Sequence, residues 1–183
     1  MLIEQYRKET LRTLPDLGSK LSNSLHMTIG IMTEISEIEE AMSKEDDVDF
    51  INIAEEWADI KWYQANYANI HDIKNFVVDV HEYSRYNDAT AAWSNIIIFA
   101  GTLLDMDKKL FAYGKQIDNT LRNKVFIELN TALDAFADHM GIDKQSALER
   151  NINKLKARYP DKFDNDKAIN RDLDAERKIL EGN

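Results

Sequence analysis

The stretch Thr33-Glu34-Ile35-Ser36-Glu37-Ile38-Glu39-Glu40-Ala41, answered downstream by Glu55-Glu56-Trp57-Ala58-Asp59-Ile60-Lys61-Trp62-Tyr63, decides how this chain is read. It carries two carboxylate pairs, Glu34-x-x-Glu37 and Glu56-x-x-Asp59. A three-residue step turns an α-helix by ~300°, so each pair projects from one face within about a turn. On a wheel of ~100° per residue, Glu34 falls in the apolar arc of Met27, Ile31, Ile35, Ile38 and Ala41. Glu56 falls likewise among Ile53, Ile60, Tyr63, Tyr67 and Ile70. Solvated glutamates belong on the opposite arc.

Carboxylates gathered in a helix seam need a compensator: a lysine or arginine, a shared proton, or a multivalent cation. Neither helix offers Lys or Arg on the shared stripe within a turn of its pair; Lys44 lies two turns beyond Glu37. One pair alone would read as edge glutamates reaching to water. Two pairs, each inside an apolar stripe, favour a metal. Oxygen ligands without Cys or His point to a hard cation, Mg²⁺ or, as a substitute, Mn²⁺.

Outward from these segments the chain reads as one all-α domain. Its 183 residues suffice for a core, and 6 Gly and 2 Pro leave little for a loop-rich or β-rich fold. A net charge of −10 with no basic patch argues against nucleic acid as partner. The chain has no Cys, which excludes disulfides and thiolate chemistry. The charged N-terminus lacks the apolar core of a signal peptide, and the run Ile96–Ala100 is too short to span a bilayer, so a cytoplasmic protein without a membrane partner is expected.

Helices are expected over residues 2–13, 17–43 and from Asp49 to His71, the last two forming an antiparallel hairpin that sets the carboxylate pairs face to face. Gly30 interrupts the second helix at ~1 kcal/mol against alanine and so implies a close neighbour, a helix or a ligand. Residues 74–90 read as a short helix and a turn at 86–88. An apolar helix follows over 89–111, as core or subunit interface, then helices over 118–140 and 143–158. A charged amphipathic tail helix over 164–180 is expected to lie across the surface.

Four acids in a bundle could hold one or two Mg²⁺ with positions open for phosphate oxygens, and one acid could act as general base. A phosphate-binding partner is then needed. Asn151, Lys154 and Arg158 share one helical face and are candidates, although such a run also suits a solvated basic face. A di-iron bundle needs Glu-x-x-His on two helices, and none of the four His follows a Glu at that spacing.

The ExxE…ExxD blocks, with Asn151-x-x-Lys154-Leu155-x-x-Arg158-Tyr159-Pro160, closely resemble the all-α nucleoside triphosphate pyrophosphohydrolases, the MazG-like and dimeric dUTPase superfamily. Arg171-Asp172, Glu176-Arg177 and the His26-x-x-x-Gly30-x-x-x-Glu34 spacing resemble its phage-type members. The resemblance covers roughly residues 20–70 and 145–178. It implies an antiparallel helical bundle and Mg²⁺-dependent cleavage of a (d)NTP between the α and β phosphates, releasing a (d)NMP and pyrophosphate. Glu34, Glu37, Glu56 and Asp59 would be metal ligands and catalytic groups. Lys154 and Arg158, with Asn151 beside them, would contact phosphates, and Tyr63, Trp62 and His26 would line the nucleotide site. Aromatic residues at helical spacing are more often core than stacking surfaces, and Trp62 and Tyr63 fit that role as well.

Two departures matter. Residues ~72–125 intervene where compact members have a short gap, which suggests an inserted helical pair and a homodimer or homotetramer. Ala41-Met-Ser-Lys44 replaces the tryptophan- and lysine-rich motif of the dUTPase branch. The competing functions are a dUTPase, a phosphoribosyl-ATP pyrophosphohydrolase, or a non-catalytic helical oligomerisation or binding protein.

Overall fold

The computed structural model describes residues 3–44, 48–74 and 86–182. Among them the chain is all-α, with no strand. The helices are α1 (Ile3–Leu11), α2 (Lys20–Met42), α3 (Phe50–His71), α4 (Ala89–Tyr113), α5 (Asn119–His139), α6 (Lys144–Arg158), α7 (Asn165–Ile169) and α8 (Leu173–Glu181).

Most of these helices begin where a short polar side chain can accept a bond from a first-turn amide. Ser19 caps α2, and Asp49, Asp88, Asp118, Asp143, Asp164 and Asp172 cap α3 to α8 in order. Such a cap is worth ~1 kcal/mol, so part of the acidic composition fixes helix starts. The break Asn170-Arg171-Asp172 divides the tail into α7 and α8, where the sequence suggests one helix, because Asp172 caps a new start. The turn at 86–88 ends at the α4 cap, and the short helix expected before it falls on residues 75–85, outside the described residues.

Helices α2 to α5 form a four-helix bundle. Ser24 on α2 meets His71 of α3 and Asp107 of α4, while Glu39 at the other end of α2 accepts a bond from the Trp93 indole of α4. Both α3 and α4 therefore run antiparallel to α2. Trp57 Nε1 donates to the Leu133 carbonyl, and Lys61 reaches Asn130 (2.6 Å) and Asp134 (2.6 Å), which sets α5 antiparallel to α3. The seam holds Met27, Ile31, Ile38, Ile53, Trp57, Ile60, Tyr67, Ile96, Phe126 and Phe136, all buried. Each such side chain contributes roughly 1.5–3 kcal/mol. The intervening segment thus supplies α4 and the start of α5, which complete the bundle.

By length and composition α4 is long and apolar enough to cross a membrane, which a search for apolar runs misses. Here Ala92, Trp93, Ile96, Ala100, Leu103 and Asp107 face the bundle. At the end where α3 and α4 finish, Ser24, Thr28, Tyr67, His71, Asp107 and Arg122 form a buried polar knot. Helices α1 and α6 cover the opposite side of α3: Tyr6 donates to the Ala58 carbonyl and to Asn151 Oδ1. Helix α8 packs on α6, where Arg150 Nη1 donates to the Leu180 carbonyl (2.7 Å).

Candidate metal centre and its cavity

The antiparallel α2–α3 hairpin brings Glu34, Glu56 and Asp59 together, with one oxygen of each lying within 4.8 Å of the others. These three can hold a metal ion. They form the floor of a cavity of about 670 Å³, and Glu37 and Glu55 line it as well. Glu37 stands exposed and outside the close trio, so the structure joins three of the four acids that the sequence groups.

Burial shapes their charge. Glu56 is pushed up to about 10, first by burial and then by Asp59, Glu55 and Glu34. Glu34 is raised to about 7, again by burial first and then by Asp59. Two carboxyls in contact cannot both ionise cheaply, so without a cation the pair holds a proton in common.

The cation missing from the hairpin arrives from α6. Lys154, 1% exposed, donates to Asp59 Oδ2 (2.5 Å) and Glu55 Oε1 (3.0 Å). Burial alone would lower its pKa, but the two carboxylates outweigh that and hold it above the ordinary lysine value. One ammonium stands against five carboxyls, so the cluster stays strongly electronegative. Asn151 is buried behind it and donates its amide to Asp59, fixing that carboxylate from the far side while accepting from Tyr6. Lys154 and Asn151 thus orient the acids; their polar atoms are already bonded.

Trp62 and Tyr63 both line the cavity. The Trp62 indole donates to Thr13 Oγ1 (3.0 Å), and the Tyr63 ring meets His26 edge-on at 5.8 Å. Gly30 exists for this ring: a Cβ there would overlap Tyr63 Cε1. The close neighbour implied by the mid-helix glycine is therefore an aromatic side chain. His26 lines the same wall, its pKa lowered by burial.

The tail lies on the surface, as the sequence suggests, and with the end of α6 it also lines this cavity. Arg158, Arg171 and Arg177 all line the cavity. Arg158 grips Glu176 with both Nε (2.7 Å) and Nη2 (2.6 Å), and Arg171 binds the same carboxylate through Nε (3.2 Å) and Nη2 (2.8 Å). Arg177 pairs with Asp49 and Glu181. Sequence reasoning missed Glu55, Arg171, Glu176 and Arg177 as wall residues. Glu55 is legible, one residue before Glu56; Arg171, Glu176 and Arg177 stand in the segment that resembles phage-type members, but nothing along that segment says that it lines the acidic cavity.

Compared with known protein families, curated proteins and solved structures, the chain matches none.

Proposed function

We propose that this protein is a Mg²⁺-dependent nucleoside triphosphate pyrophosphohydrolase that cleaves a (d)NTP between the α and β phosphates, yielding a (d)NMP and pyrophosphate. The observation that carries the reading is the cavity itself, lined by three metal-competent carboxylates and three arginines. A small polyanion that arrives with a hard cation meets both requirements. The motif resemblance supplies the bond that is broken.

The donor set suits Mg²⁺ or Mn²⁺: oxygen only, buried or half-buried, from two rigid helices. Glu34, Glu56 and Asp59 would hold the ion, with Glu37 at the rim. Bound there, it would neutralise phosphate charge and acidify a water. The chain's own part is placement. Asn151 and Lys154 keep Asp59 in one orientation, and Glu37, solvent-facing, is placed to take a proton from water at the cavity mouth. Trp62 and Tyr63, whose rings stand nearly perpendicular at 86°, would offer an aromatic corner for a base. Such an enzyme is expected in the cytoplasm, acting on free nucleotides as a homo-oligomer.

The test is a panel of dNTPs, NTPs and phosphoribosyl-ATP at millimolar Mg²⁺, scored separately for pyrophosphate and orthophosphate. Pyrophosphate release, abolished by EDTA and by Glu34→Gln, is expected. Orthophosphate as sole inorganic product, or no turnover of any member, refutes the reading.

A further inference from the structure

In the lining of the same cavity, two guanidinium groups close on one side-chain carboxylate. Arg158 and Arg171 both bind Glu176, which is 5% exposed, through four N–H bonds of 2.6–3.2 Å. The geometry is that of a bidentate oxyanion site, and its occupant is the chain's own. We propose that Arg158 and Arg171 form the subsite for the outer phosphates of the substrate's polyphosphate tail, and that Glu176 fills it in the ligand-free protein and is displaced on binding.

Three observations support displacement over a permanent strut. First, the balance is unequal, two full positive charges against one carboxylate, and a polyphosphate brings several charges and more acceptor oxygens to the same donors. Second, Glu176 sits on an element with little apolar anchorage. Helix α8 has nine residues, of which Glu176 and Leu180 are buried, and α7 before it buries none. Moving such a segment opens little apolar surface. Third, the subsite lies at the correct reach. Arg158 is one turn beyond Lys154 on α6, and Lys154 touches Asp59. Side chains one turn apart are ~5–6 Å apart at Cβ, a step that a triphosphate tail spans, so a phosphate chain starting at the acidic cluster can reach Arg158. Arg158 also lies close enough to the Tyr63 hydroxyl to oppose the influence there of Glu34, Asp59 and Glu37. Arg171, at the mouth and 39% exposed in its side chain, would take the outermost phosphate.

The subsite rests on the pyrophosphohydrolase reading for its natural ligand but not for its test. Inorganic tripolyphosphate is titrated calorimetrically into the full chain in EDTA, where no turnover is needed. Glu176→Gln removes the competing charge at constant shape and is expected to tighten tripolyphosphate binding about five- to twentyfold. Arg171→Ala is expected to weaken it at least tenfold, and in the double variant the gain from Glu176→Gln should largely vanish. Unchanged or weaker binding by a folded Glu176→Gln protein overturns the proposal. A second measurement on the unaltered chain guards against misfolding of the variant: amide exchange in residues 173–181 should rise on tripolyphosphate addition, and a fall there overturns displacement. Tighter binding by the variant, in a protein that hydrolyses no nucleotide, would refute the proposed reaction and leave the subsite standing.

Discussion

Replacing Glu56 by glutamine should stabilise the metal-free protein and destroy its response to metal. Glu56 is 6% exposed, with a folded-state pKa of about 10 against the ordinary 4.5. Between those values the folded chain binds a proton that the unfolded chain does not. Stability is therefore fully present below pH 4.5 and is lost as pH rises toward 10, at ~1.4 kcal/mol per unit. At pH 7.5, about three units above the unfolded value, the loss is up to ~4 kcal/mol. The proton is held jointly with Glu34, so removing Glu56 alone relieves only part of this, on the order of 2 kcal/mol. Glutamine keeps the shape and a donor and needs no proton. In EDTA at pH 7.5, Glu56→Gln should raise Tm by roughly 4–8 °C, and the gain should shrink below ~1 kcal/mol by pH 5.5. Magnesium at about 100 times Kd would add ~2.7 kcal/mol to the unaltered chain and almost nothing to the variant, reversing their order. Scanning calorimetry of both proteins at two pH values, with and without Mg²⁺, decides the matter. A variant less stable than its parent in EDTA at pH 7.5 would show that Glu56 carries no such burden of charge.

Other outcomes follow from the same geometry. Lys154→Met should lower stability by ~3 kcal/mol in urea titrations, because Asp59 and Glu55 lose a buried partner; a loss under ~1 kcal/mol would show the pair to be idle. Gly30→Ala should destabilise by ~1–2 kcal/mol, the clash with Tyr63 exceeding the gain in helix propensity. In a Tyr63→Ala background the same change should stabilise by ~1 kcal/mol, and stabilisation in the parent would contradict the contact. His71 behaves oppositely to Glu56: burial, then Arg122 and Lys20, lower its pKa to about 3, while Asp107 lies across Ser24 from it. Its contribution is present above pH 6.5 and is lost as pH falls toward 3. At pH 5 the loss should be ~1–2 kcal/mol, and His71→Gln should flatten that acid limb in pH-dependent denaturation.

Local pattern in the chain suffices for the helices and the acidic hairpin. Periodicity placed α3 at its observed end and α2, α4, α5 and α6 within a few residues of theirs, since apolar spacing and Asp or Ser caps act locally. It also showed that Glu34 and Glu56 belong to buried faces. Long-range packing sets what meets those acids. Lys154 lies 95 residues from Asp59 in sequence, and no rule of spacing along α2 or α3 announces it. Glu37, one turn from Glu34, looked equivalent on the wheel but faces solvent, because the arc that α3 covers ends before it. The tail lines the cavity because Arg158 and Arg171 capture Glu176, a pairing across 18 and 5 residues between separate elements. Helix periodicity records which face is buried; the charge that sits against that face depends on how distant elements pack, and on that the local pattern is silent.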